Sequence, residues 1–154
     1  MTALKDKLHD DLTAAMRARQ EVVTATLRMA LTAVTTEEVS GTCARELSDD
    51  EVVAVLQKEA KKRRESAQAY DDAQRPELAD RERAELEVLA AYLPAAMDDA
   101  TLTGLVEAAV SQVRAEGVDG PRAMGAVMKL VTPQVAGTAE GGRVAAEVRR
   151  QLGS

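Results

Sequence analysis

Two stretches of the chain hold residue types that could do chemistry. The first is the run KEAKKRRESAQAY, Lys58 to Tyr70, in which Lys61, Lys62, Arg63 and Arg64 are consecutive. Clustered cations can hold phosphate by displacing its counterions. On a helix, however, four consecutive residues spread over about 300°, so they cannot all face one ligand. Lys58, Lys61, Lys62 and Arg64 would form a phosphate-contacting ridge. The plainer alternative is a solvated helix surface whose aliphatic stems cover a neighbouring element. Tyr70 is the only aromatic residue nearby, so no platform for stacking bases is expected.

The second is MGAVMKLVTPQVAGTAEGGRV, Met124 to Val144. It opens as an apolar helix, is expected to break at Pro133 and Gly137, and restarts after the adjacent Gly141 and Gly142. A glycine-rich loop entering a helix can offer backbone N–H groups to an anion. This loop lacks the spacing of a dinucleotide fingerprint, and no strand precedes it. A simple turn and a phosphate cradle both remain open.

Other chemistry is thin. Acidic groups occur at Asp49, Asp50 and Glu51, at Asp71 and Asp72, and at Asp98 and Asp99. Such clusters could hold a cation or move protons. Acids are also expected at helix starts, where they offset the helix dipole. Cys43 is the only cysteine and His9 the only histidine. Together they exclude an intramolecular disulfide and a Cys/His zinc site, and they speak against a histidine-based triad. The residues give no catalytic constellation and call for no metal or cofactor.

Bulk composition narrows the classes further. Of 154 residues, 30% are charged, and 20 Lys plus Arg face 26 Asp plus Glu for a net charge of -6. From Pro94 onward 6 basic residues face 7 acidic ones. Neither part is a basic domain. An acidic chain is a poor non-specific nucleic-acid binder, so no DNA partner is expected and any RNA contact must be local. Phe and Trp are absent, and Tyr70 and Tyr92 are the only aromatics. The core must be aliphatic and modest in area. No apolar run approaches the roughly 20 residues of a membrane span. The opening MTALKDKLHDDL lacks a signal-peptide core, so a cytoplasmic protein is expected.

Helical periodicity runs almost throughout. Leu4, Leu8, Leu12 and Met16 mark a first helix from about residue 3 to 18, with Thr2 as its N-cap. Val23, Leu27, Ala30, Leu31 and Val34 mark a second, over about 21–40, stopped by Gly41. Ser48 and Glu51 form a capping box for a third, over about 49–73. Its stripe is Val52, Leu56, Ala60 and Ala67, with Arg63 as an interruption. Pro76 opens a fourth helix carrying Leu78, Leu86, Leu89 and Leu93. An i, i+4 pair of Glu77 with Arg81 supports it, and Pro94 ends it.

Past LPAAMDD, three shorter helices are expected. Leu102, Leu105, Val106, Ala109, Val110 and Val113 lie on one, stopped by Gly117. Met124, Val127, Met128 and Val131 lie on the next, opened by Gly120 and Pro121. Val144, Ala145, Val148 and Leu152 lie on the last. The reading is an all-α protein, with a four-helix N-terminal subdomain over 1–93 and a three-helix C-terminal bundle over 94–154.

A resemblance joins these parts. The order Met124-Gly125, Val127-Met128, Pro133 and Gly137 to Gly141 resembles the C-terminal signature of the GatB/YqeY family. The central EAKKRRESAQAYDDAQRPELADRERAELEVLAAYLP and the opening LKDKLHDDLTAAMRARQEVVTATLRMA are similar to that family too. It implies an all-helical protein. Its C-terminal part resembles the tail domain of the B subunit of glutamine-dependent tRNA amidotransferase. That tail is associated with holding tRNA, while ATP and amidation chemistry lie in other domains. A family label of carbon–nitrogen ligase with glutamine as amide donor follows from the name rather than from residues here.

The resemblance implies a non-catalytic adaptor that holds tRNA. Lys129, Arg143, Arg149, Arg150 and the loop Gly137, Thr138, Gly141 and Gly142 would touch its backbone. The chain departs from the family pattern at Ala126 and Thr138, where cations are common, and at Glu140, where Asp is usual. The alternative is a protein-interaction module that pairs with a translation or amidotransferase protein and binds no RNA.

Overall fold

The computed structural model describes residues 2–153. Among these described residues seven α-helices are formed, α1 Ala3–Arg17, α2 Glu21–Glu38, α3 Asp49–Asp72, α4 Pro76–Ala90, α5 Asp99–Ala115, α6 Pro121–Val135 and α7 Gly141–Leu152. Among the described residues there is no strand. By contact the chain divides into two compact units, Met1–Leu93 and Pro94–Ser154.

In the first unit, Leu8 of α1, Leu27, Ala30, Leu31 and Val34 of α2, and Val52, Val55, Leu56 and Ala60 of α3 share one core with Leu89 of α4. Leu47, from the α2–α3 loop, joins them. The second unit has its own core. Leu102, Val106, Ala109, Val110 and Val113 of α5 meet Ala123, Val127, Val131 and Val135 of α6 and Val144 and Val148 of α7. Both cores hold aliphatic side chains, as the composition requires.

Local signals explain most boundaries. Ser48 Oγ accepts from Glu51 N–H, and Glu51 Oε2 accepts from Ser48 N–H, so the capping box is complete. Asp98 caps α5 by accepting from Thr101 N–H at 2.7 Å. Gly117, at φ 76°, ends α5 in the left-handed conformation that its lack of Cβ permits. The same closing geometry recurs after α1 and α3 without glycine. Arg75 N–H donates to Tyr70 O at 2.8 Å and Gln74 N–H to Asp71 O at 3.0 Å, the paired bonds of a Schellman motif. Gln74, at φ 59°, and Arg19, at φ 54°, hold the left-handed positions.

Several expectations need correction. Thr2 occupies the N-cap position of α1, but its buried hydroxyl makes no hydrogen bond. Leu4 N–H donates instead to Asp49 Oδ1 at 3.0 Å, so an acid 45 residues away serves this helix start. Met16 is exposed, and Ala15 is buried in its place. A spacing of four advances the face by about 40° each time, so the leucine row leaves the core by its fourth member. Helix α2 ends at Glu38, and Gly41, beyond it, is not left-handed. Helix α4 ends at Ala90, four residues before Pro94. Glu77 takes Arg75 Nε at 2.7 Å rather than Arg81, which lies 3.7 Å from Glu85.

Pro133 does not break α6, which continues to Val135. The proline lies two residues from the helix end, so the bond its missing N–H forfeits is among the last of the helix. Gln134 Nε2 donates to the nearby Leu130 carbonyl at 3.1 Å.

Candidate nucleic-acid interface and a charged groove

The glycine-rich loop of the second unit is more closed than its composition suggests. Thr138 N–H and Ala139 N–H both donate to Val135 O, at 2.9 and 3.1 Å. The Thr138 hydroxyl joins them at 3.0 Å. Thr138 O in turn accepts from Met97 N–H at 2.7 Å. Gly137 takes the left-handed conformation, φ 83°, that turns the chain. Two of the amides that could have met an anion are therefore spent inside the loop. Gly141 and Gly142 are exposed in the first turn of α7. Glu140 is the N-cap residue there, so a carboxylate stands at the helix start. That charge suits the helix dipole and competes with phosphate for the same place.

The four cations expected around this loop divide into two kinds. Arg143 Nη1 donates to Met97 O at 2.7 Å, and Nη2 to Asp99 Oδ1 at 2.6 Å. This guanidinium fastens the start of α7 to the segment that leads into α5. Arg150 forms a two-pronged pair with Glu147, at 2.9 and 2.5 Å. That pair, with Gln151 as a further donor, holds the Glu147 carboxyl down at about 2. Lys129 and Arg149 are exposed, and neither has an ion-pair partner among the described residues.

In the first unit, the basic run lies on α3 and does not act as one ridge. Lys61 reaches Glu65 at 3.9 Å, and Lys62 reaches Glu59 at 2.8 Å. Arg64 is exposed on another side of the helix. Lys58 and Lys62, one turn apart, share a wall of a groove between α2 and α3. The groove encloses about 470 Å³, and Arg28, Met29, Ala33 and Val55 line it too. Met29 is 51% exposed. Neither Arg28 nor Lys58 has a carboxylate partner among the described residues.

Arg63, expected to interrupt the α3 stripe, stays in it and is only 4% exposed. Its Nε donates to Glu85 Oε2 at 3.2 Å, and Nη1 donates to Glu59 O and Oε2 at 3.0 and 3.1 Å. Nη2 approaches Met29 Sδ at 3.7 Å. Burial pushes the Glu59 carboxyl up, but hydrogen bonds from Lys62 and Arg63 outweigh it and hold the group below its ordinary range. Burial and the nearby Glu85 charge push Glu82 up. The signal for a buried arginine was present: position 63 falls on the same spacing as 52, 56, 60 and 67. Arg28 and Met29 carried no such mark, because only the packing of α2 on α3 gives them a common groove.

Cys43 is exposed in the α2–α3 loop. Among the described residues, no three His, Cys, Asp or Glu side chains are grouped as metal ligands would be. No described helix is long and apolar enough to cross a membrane. The family model described as Yqey-like protein matches residues 5–152. No curated protein matches the chain.

Proposed function

The chain belongs to the Yqey-like protein family, which includes the C-terminal tail domain of GatB, and on that footing we propose that it is a non-catalytic tRNA-associated adaptor. The second unit is the RNA-facing part. The observation that carries the reading is the pair of exposed cations with no ion-pair partner among the described residues, Lys129 on α6 and Arg149 on α7, in a family tied to a tRNA-holding tail. These two carry the phosphate contact, joined by the exposed Gly141 and Gly142 backbone. Arg143 and Arg150 support the surface from their internal pairs. With no aromatic residue after Tyr92, recognition runs through shape and phosphate rather than base stacking.

The test is fluorescence anisotropy of the whole protein with labelled folded tRNA over a salt series, with duplex RNA of similar length as control. The adaptor reading expects tRNA-preferring binding that weakens as salt rises. Absence of binding at low salt overturns it.

A second reading, a protein-interaction module in translation, draws on the net charge of -6 and on the groove of the first unit. Pull-down with and without nuclease separates the two, since only an RNA-bridged partner disappears on nuclease treatment.

A further inference from the structure

Many cations of the protein sit beside acids, as Lys7 does with Asp11, Lys61 with Glu65, Arg83 with Asp80 and Arg150 with Glu147. Two on the rim of the α2–α3 groove, Arg28 and Lys58, have no carboxylate partner among the described residues. Arg28 has threonine at both 24 and 32, and Lys58 has alanine and lysine at 54 and 62. Neither helix therefore supplies an acid at i±4. Of the groove's two carboxylates, Glu59 already serves Lys62 and Arg63. A net positive rim thus surrounds an apolar floor of Met29, Ala33 and Val55 in a chain that is acidic as a whole.

We propose that this groove docks an acidic amphipathic helix of a partner protein. The partner's apolar residues at i, i+4 and i+7 lie along Met29, Ala33 and Val55, and its flanking carboxylates meet Arg28 and Lys58. Met29 suits such a floor, because its flexible thioether adapts to varied apolar shapes. Thr32 and Thr36 also line the groove, but their hydroxyls donate back to Arg28 O and Thr32 O at 2.9 and 2.8 Å. The polar features left for a partner are the charged tips. Phosphate is a poorer occupant, since Glu37 and Glu59 stand in the wall and no aromatic ring is present for a base.

The experiment uses the full chain with ¹³C-labelled methionine methyl groups. It is titrated with a designed helical peptide of about 15 residues. The peptide carries leucine at i, i+4 and i+7 and glutamate alongside. A twin peptide carries lysine in place of glutamate. The expected result is a saturable shift of the Met29 methyl with the glutamate peptide, while Met128 in the second unit stays still. The lysine twin binds about ten-fold more weakly or worse. Arg28→Glu with Lys58→Glu reverses that preference. Equal binding of both peptides, no movement of Met29, or movement only on adding tRNA overturns the proposal. So does movement with protein concentration alone. The adaptor reading is tested separately, at Lys129 and Arg149, and stands or falls without this groove.

Discussion

The hydroxyl of Tyr92 donates to Asp11 Oδ2 at 2.5 Å, joining residues 81 apart in sequence at the two ends of the first unit. Lys7 completes the arrangement, with Nζ 2.9 Å from the same carboxylate oxygen and 5.4 Å above the tyrosine ring. The bonds from Lys7 and Tyr92 hold Asp11 below its ordinary range, and burial pushes the Tyr92 hydroxyl well up. Tyr92→Phe removes the donor and should lower stability by about 1 kcal/mol near neutral pH. Urea unfolding followed by circular dichroism reads the change. An unchanged midpoint would show that water replaces the bond at no cost.

Burial of Arg63 gives a larger effect. Arg63→Met leaves Glu85 without its buried partner, and about 3–5 kcal/mol should be lost. Pairing it with Glu85→Leu removes the stranded charge and should recover much of that loss. The double mutant falling as far as the single would assign the cost to packing rather than charge.

At the start of α3, acid should act through Glu51. Hydrogen bonds from Arg45 and Ser48 hold its carboxyl down at about 2, against an ordinary value of 4.5. The unfolded chain therefore takes up this proton first as pH falls. The stabilising contribution is present above pH 4.5 and is lost as pH drops from there through about 2. Glu51→Gln should flatten that limb of the urea midpoint against pH. An acid limb identical to wild type would exclude the capping carboxylate as its source.

Two helix ends offer room for improvement. Gln74 and Arg19 hold left-handed positions usually given to glycine. Gln74→Gly relieves a Cβ clash and costs some unfolded-chain entropy, for a net gain of about 0.5–1 kcal/mol. Thermal melts of Gln74→Gly and Arg19→Gly measure it, and a lower melting temperature for both would refute the strain argument.

The cations of the second unit should separate by task. Arg143→Ala cuts the ties to Met97 and Asp99 and should lower the melting temperature. Lys129→Glu and Arg149→Glu should leave melting unchanged and weaken tRNA binding. Each should also reduce the salt slope by about 1. The reverse pattern would remove both residues from the RNA surface.

Much of the fold was legible in the sequence because aliphatic residues at helical spacing mark a buried face wherever they occur. Ser48 with Glu51, Asp98 and Gly117 marked boundaries by chemistry that acts within one turn. What escaped depends on contacts between distant segments. Asp49 serving the Leu4 amide needs α1 and α3 side by side, and so does the loss of any role for the Thr2 hydroxyl. The pairing of Arg63 with Glu85 needs α4. Pro133 misled because a proline two residues from a helix end leaves almost the whole helix before it intact, and that end is not marked locally. For the candidate RNA surface, residue types were legible but commitments were not. Arg143 and Lys129 look alike in sequence, and only geometry shows one fastened and the other without an ion pair among the described residues.

The aliphatic make-up of the second core has a practical consequence. Both tyrosines, Tyr70 and Tyr92, precede Pro94, so residues 94–154 contain no aromatic chromophore. Near-ultraviolet absorbance and intrinsic emission therefore report only the first unit. The second could melt unseen in such a trace, and a sample that looks fully native by tyrosine optics could already have lost one of its two units.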